Sequence, residues 1–454
     1  MGMLERVYEK SPIFFQNIMV SVKGYRNNST RYGKTYWEHR SFLEDFDTWD
    51  IDEKHKYQLN ELYRFLQYAA TKSPYYKKLY EGIDINSLKS FGDLKKLPVL
   101  DKEMIRTNID DMITISKDAA IVSKTGGTTG TSLTVFGSNS DMMKRMAMLD
   151  HFKARVGFEH RKMRRATFNS NYIVPPKQKA KVFWRYNRAC KQMIYSAYHL
   201  SEENLRHYVD SLNKFKPHAI DGFLMPMVDI AKYIKRHSLR VDFVPVAIFP
   251  TSETLTQANR ELLQEVFNCK VYDQYASAEG APFVVECEHQ KLHIEMASGV
   301  FEHFGDVDEE ILVTSFTTHG TPLIRYRIGD AMKFSDETSC ACGMQSLMVK
   351  EIYGRKDDFL YTADGAKIRS VSIANLIKNV PNAIIRIQMQ QDKLGEILIL
   401  MEIDKEKYKP EYDEIVKRDF LHRFGEGTVV DIKHVDEIPR EKSGKFRLIK
   451  NNVG

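Results

Sequence analysis

The chain has 454 residues, 43% apolar and 28% charged, with 25 Phe and 23 Tyr, which excludes a disordered polypeptide and exceeds the usual size of a single core. A net charge of +6, with Lys and Arg interleaved with Asp and Glu, excludes a dedicated nucleic-acid binder. The apolar stretch from Ile13 to Val22 is interrupted by Gln16 and Asn17 and lacks a basic lead-in, so neither a membrane span nor a cleavable signal is expected and the protein is placed in the cytoplasm.

Along the chain, residues 1–100 read as mostly helical and polar, punctuated by Tyr63, Phe65, Tyr68, Tyr75 and Tyr76. From residue 200 the pattern becomes regular. Ser201 can cap a helix that carries Leu205, Tyr208, Val209 and Leu212 on one face, and Pro217 follows its end. A short apolar piece at Ile220 precedes a second helix with Met227, Ile230, Ala231 and Ile234. A strand from Phe243 to Phe249, a helix to Phe267 and a strand at Val271 and Tyr272 come next. Strands alternating with helices predict parallel pairing in a layered α/β domain. Beyond Gly354, strands at Ile384 to Met389 and Glu396 to Ile403, a helix with Tyr412, Ile415, Val416 and Phe420, and a strand from Val429 to Ile432 predict a small α+β unit. The expected division is therefore a large domain over 1–353, with 1–90 as its helical N-terminal part, and a small mobile domain over 354–454.

Five segments hold residue types suited to chemistry, although the last four read equally as a solvated acid, a turn acid, surface charge and a solvated tail when each is taken alone. The run from Ser123 to Ser132 lies between apolar pieces that suggest a hairpin, and its glycines and hydroxyls suit phosphate oxygens, though a Gly/Thr turn reads equally well. It lacks the order of a Walker A loop. Tyr272 to Gly280 follows a predicted strand, where an aromatic ring can meet a base and Glu279 can hold Mg²⁺. Thr321 to Asp330 ends in an acid able to accept from vicinal hydroxyls. Gly354 to Asp358 has the polar look of a hinge, and Pro439 to Arg447 is a basic loop near the C-terminus.

Taken in this order, the five segments resemble the adenylate-forming superfamily of acyl-CoA synthetases, luciferases and peptide-synthetase adenylation domains. The resemblance runs from about residue 90 onward. Phe183 to Arg185, Ser252-Glu253, Cys287 to His293 and Cys340 to Gly343 are similar to the phenylacetate-CoA ligase-like family, in its capsular-polysaccharide branch. The resemblance implies that Gly126, Gly127, Thr128, Thr129 and Gly130 wrap the ATP phosphates, that Tyr275 stacks on adenine with Ser277 in the same nucleotide set, and that Glu279 ligates Mg²⁺. It implies that Asp330 and Arg355 hold the ribose, that Ser252 and Glu253 line the nucleotide pocket, that Asp357 is the hinge, and that Lys445 is the catalytic lysine of adenylation. Three departures stand out: Gly126 for the usual Ser, Thr131 for the loop Lys, and Ala276 for the usual Gly.

Five cysteines in a cytosolic chain do not make a disulfide framework. Cys287, His293, Cys340 and Cys342 can form a closed structural zinc site, with His289 as an alternative ligand, or remain unconnected residues of a reduced protein. Similar Cys/His sets in the resembled family favour zinc. The expected activity is ATP-dependent acyl-adenylate formation followed by transfer to CoA. The alternatives are transfer to an amine or hydroxyl acceptor, as in polysaccharide biosynthesis, and a nucleotide-binding module without catalysis. Arg185, Arg188 and Lys191 can meet CoA phosphates, and Trp184, Phe223 and Phe249 can line an acid pocket by their place in the family.

Overall fold

The computed structural model describes residues 3–124, 133–169, 173–175, 178–305, 309–355, 359–369, 383–425, 427–441 and 446–453. Contacts divide the chain into two units. Met1–Ser21, Arg161–Val271 and Tyr353–Gly454 form the first, and Val22–His160 with Tyr272–Ile352 the second.

The N-terminal stretch is helical, as its composition predicts: Met3–Lys10, Ile13–Arg31, Lys34–Phe46, Ile51–Lys72 and Pro74–Leu79. Asp50 starts the fourth of these with a reciprocal capping box, accepting from Glu53 N while the Glu53 side chain accepts from Asp50 N.

In the first unit a six-stranded sheet runs in the order Trp184–Asn187, Gln192–Ser196, Arg165–Asn169, Ala219–Phe223, Ala247–Thr251, Lys270–Val271. The last five strands are parallel and the first is an antiparallel edge. The helices Glu202–Phe215, Leu224–Arg236 and Gln257–Phe267 alternate with the strands, and Leu205, Tyr208, Val209 and Leu212 are buried as their spacing requires. Ser201 occupies the N-cap position without a side-chain cap bond. The strand expected over Phe243 to Phe249 begins only at Ala247. Val244 and Val246 are exposed, and Pro245 between them has no N–H to give a ladder.

Gly222 lies in the middle of this sheet, opposite Phe168, at φ +114, and a Cβ there would stand 2.0 Å from the Phe168 carbonyl oxygen. Gly222→Ala is therefore expected to cost about 1–3 kcal/mol, read as a lower urea midpoint at unchanged slope.

The C-terminal part of this unit has a four-stranded sheet in the order Val429–Val435, Glu396–Ile403, Ile384–Lys393, Ile449–Asn451, backed by the Glu411–Phe424 helix. Ile387, Met389, Ile399, Met401, Val416 and Phe420 make its core. The strand Ile449–Asn451, parallel to Ile384–Lys393, was not legible in the sequence.

In the second unit Ile121–Lys124 and Thr134–Gly137 pair as an antiparallel hairpin, so the flanks of the Gly/Thr run are arranged as expected. A seven-stranded sheet runs Gly299–Phe304, Glu310–Ser315, Tyr326–Phe334, Met348–Arg355, Leu292–Ile294, Val284–Glu286, Gln274–Tyr275. No helix among the described residues is long and apolar enough to cross a membrane.

Candidate functional site

Ligands of parallel α/β sheets bind beyond the carboxyl ends of the strands. In the first unit Ser252 and Glu253 directly follow the Ala247–Thr251 strand, and the Leu224–Arg236 helix starts directly after the neighbouring Ala219–Phe223 strand. Ser252 takes a left-handed conformation, φ 72, which turns the chain sharply there. Glu253 Oε2 accepts from Met225 N at 2.8 Å, at the amino end of that helix, where a carboxylate is favoured. Its Oε1 accepts from Phe446 N at 3.1 Å. One carboxylate thus ties the sheet's carboxyl edge to the residue that follows Lys445.

In the second unit the Tyr275 hydroxyl donates to Asp330 Oδ2 at 2.7 Å. The two residues expected on adenine and ribose are therefore adjacent, and Asp330 is buried. Ser277 Oγ accepts from Ala281 N at 3.0 Å and closes the turn that carries Glu279. Glu279 is buried, and a buried carboxylate requires countercharge. Arg145 supplies part of it: burial lowers this guanidinium to about 10, and Asp141 and Glu279 oppose the shift. Arg145 Nη1 also donates to Gly280 O and Ala281 O, both at 2.9 Å, and its guanidinium lies 4.5 Å from the Phe283 ring centroid. Sequence reasoning missed Arg145, since one arginine within the Asn139–Arg155 helix carries no local signal.

Gly126, Gly127, Thr128, Thr129, Gly130, Asp357 and Lys445 lie outside the described residues. Arg355 ends the Met348–Arg355 strand, and its side chain is likewise outside them.

The structure brings Cys287, His293, Cys340 and Cys342 together, with their ligand atoms all within 4.8 Å of one another. Cys287 Sγ lies 3.7 Å from Cys340 Sγ, and Cys342 Sγ lies 3.5 Å from His293 Nε2. His293 Nδ1 is 2.8 Å from Ser346 Oγ, so a tautomer that donates to Ser346 turns the Nε2 lone pair toward the sulfurs. Burial, with Arg155 and Lys54 adding to it, lowers His293 to about 4, which keeps the ring neutral and able to ligate. Burial pushes the Cys287 thiol up and the Cys342 thiol to about 12, so a metal bound here would have to displace their protons. Three sulfurs and an imidazole fit tetrahedral zinc and leave no open position. His289 is not part of the cluster.

Two other expectations change. Arg185 is fully buried, with Nε donating to Gln16 Oε1 at 2.6 Å and Nη1 to Trp184 O at 2.6 Å, so it has no reach for a CoA phosphate. Arg188 and Lys191 are exposed. Phe249 is buried within the sheet and Trp184 packs at 5.8 Å on Tyr195, which makes these rings part of the core.

The fold is that of the adenylate-forming CoA ligases. The chain is similar, over 90% of its length and 91% of the other, to a 2-hydroxyisobutyryl-CoA ligase in the postadenylation state in complex with R3-HIB-AMP, with a TM-score of 0.71 at 16% identity. The same ligase in complex with 2-HIB-AMP and CoA, in the thioesterification state, gives a TM-score of 0.55 at 18% identity, covering 89% of this chain and 91% of that one. The CapK C-terminal domain matches residues 360–452. Protein CapK of Staphylococcus aureus is 36% identical over 455 residues, covering 99% of this chain and 100% of the relative. The chain belongs to the CapK family.

Proposed function

We propose that the protein activates a carboxylic acid with ATP and Mg²⁺, forming an acyl-adenylate and pyrophosphate, and then passes the acyl group to an acceptor, AMP leaving. The observation that carries this reading is the bond from Phe446 N to Glu253 Oε1, which holds the residue after Lys445 at the carboxyl edge of the parallel sheet. A lysine there would bring positive charge to the oxygens of the acid and the α-phosphate as the new bond forms. Asp330 would accept from the ribose hydroxyls and Tyr275 would stack on adenine, their mutual hydrogen bond fixing both groups before the nucleotide arrives. Glu279 would ligate Mg²⁺, which would offset the charge of the phosphates. Gly126 through Gly130 would wrap those phosphates, Ser252 would line the pocket, and Arg355 would join Asp330 at the ribose.

CoA is the first acceptor to consider, because thioester-forming ligases share the fold. An amine or hydroxyl of a sugar or metabolite is the second. The burial of Arg185 removes one of the residues named above for CoA phosphates, which is compatible with such an acceptor.

The test is pyrophosphate release with ATP and Mg²⁺ across a panel of aryl, fatty, hydroxy and amino acids, followed by addition of CoA or amino sugars to the responsive acid. Acid-dependent release supports adenylation and names the acid class. No release with any acid points instead to a nucleotide-binding module.

The Cys/His cluster serves a structural zinc in this reading. Metal analysis is expected to find about one zinc per chain, and Cys340→Ser to lower both zinc content and melting temperature. Metal-free protein of undiminished stability would remove the site from the scheme.

A further inference from the structure

The Ile13–Arg31 helix is amphipathic in an inverted sense. Three of its polar residues, Gln16, Asn17 and Ser21, face the protein. Gln16 Oε1 accepts from the buried Arg185, and Gln16 Nε2 donates to Tyr8 O and Ser11 O, both at 2.9 Å. Asn17 Oδ1 accepts from Tyr186 N at 2.9 Å, and Ser21 Oγ accepts from Arg188 N at 3.0 Å. These bonds fasten the helix along Trp184–Asn187, the edge strand of the six-stranded sheet, and fix its rotation about its own axis.

With the rotation fixed, Val20 packs on the core and most of the other large apolar residues point outward. Phe14, Ile18, Val22 and Tyr25 follow the spacing of one helical face and are 69%, 42%, 54% and 57% exposed, with Phe15 beside them. Five large apolar side chains on one helix exceed the scattered exposure normal for a surface. The face is also cationic. Ile13–Arg31 contains no Asp or Glu, Lys23 and Arg26 are exposed on it, and the exposed Arg188 is bonded to it through its own N–H.

A second copy of the chain on this face, related by a two-fold axis, would set Lys23 and Arg26 against their own kind. A bilayer surface of anionic lipid takes up the aromatic and aliphatic side chains at the headgroup boundary and the cations at the phosphates, and so answers both properties. We propose that the outward face of the Ile13–Arg31 helix docks the protein on an anionic phospholipid surface, lying in the interface plane without spanning it.

The test is flotation of the full chain with unilamellar vesicles of phosphatidylcholine, with and without phosphatidylglycerol. Wild type is expected to float only with the anionic vesicles and to be released by salt. Phe14→Ser/Ile18→Ser and Lys23→Glu/Arg26→Glu are each expected to lower the bound fraction about tenfold with the melting temperature unchanged, because these side chains are exposed. Failure of wild type to float, or flotation of both variants as well as wild type, overturns the proposal. So does a wild-type dimer in sedimentation equilibrium that Phe14→Ser/Ile18→Ser dissociates, which would assign the face to a second copy.

Discussion

Lys445→Ala is expected to lower acid-dependent pyrophosphate release at least about a hundredfold, while ATP affinity changes by about twofold or less, measured by single-turnover kinetics beside equilibrium binding. The asymmetry follows from where charge develops. In the proposed reaction the triphosphate of the ground state would have other partners, whereas the forming bond between acid and α-phosphate would gather negative charge for Lys445 to meet. The described residues on either side of Lys445 are held. Arg440 at one end is held by Asp229, and Phe446 at the other donates to Glu253. Lys445→Arg keeps the charge but presents a wider, planar group, and a partial recovery is expected. A variant that keeps the wild-type rate would remove Lys445 from the mechanism.

The second large effect concerns Asp229, on the Leu224–Arg236 helix. Its Oδ2 accepts from Arg386 Nη2 at 2.8 Å and from Arg440 Nη2 at 2.7 Å. Arg386 Nη1 continues to Glu402 Oε2 at 3.3 Å, and Lys232 Nζ donates to Ile385 O at 3.1 Å. These contacts join the four-stranded lobe to the helix. Asp229→Ala leaves two buried guanidinium groups short of a counterion, and the expected cost is about 3–5 kcal/mol. Hydrogen exchange through Ile384–Lys393 and proteolysis between the helix and the lobe are the measurements, with Asp229→Asn expected to fall between alanine and wild type. Unchanged exchange in the alanine variant would show that the cluster holds nothing.

The same cluster predicts a pH response. Burial pushes the Asp229 carboxyl up, but Arg386 and Arg440 outweigh it and hold it below the usual carboxylate range. A carboxyl depressed in the folded state adds stability that is present above the unfolded value of about 3.9 and is lost as pH falls through the folded value. Docking of the lobe should therefore weaken in acid. Glu402, raised by burial in spite of Arg386, acts in the opposite direction and above that window.

The parts of the fold legible in the sequence were those whose strands and helices are long enough to show a period. Leu205, Tyr208, Val209 and Leu212 mark one helix, and the alternation that follows them defines the parallel sheet. The seven-stranded sheet was not legible because several of its strands, such as Gln274–Tyr275 and Leu292–Ile294, span only two or three residues. The apolar run at Val244 read as strand because hydrophobicity alone does not register the missing N–H of Pro245. At the site, residue types announced Glu279 and Asp330 within their motifs. Arg145 and Asp229 stood alone in helices and acquired a role only through residues far away in the chain. The cysteines fell between these cases: their identity pointed to a metal, but only the pairing of Val285 with His293 and the return of residues 340–342 supplied the geometry.

The interleaving of the two units bears on how the polypeptide must be made. The first unit draws on Met1–Ser21, Arg161–Val271 and Tyr353–Gly454, so a nascent chain cannot complete it before the last of these segments has been made. Until then Asp229 has neither Arg386 nor Arg440, and the parallel sheet is without the lobe that caps its neighbouring helix. Expression as a fragment that stops before residue 354 should thus yield chaperone-bound or aggregated material, even though the break falls at a point where the composition invites a cut.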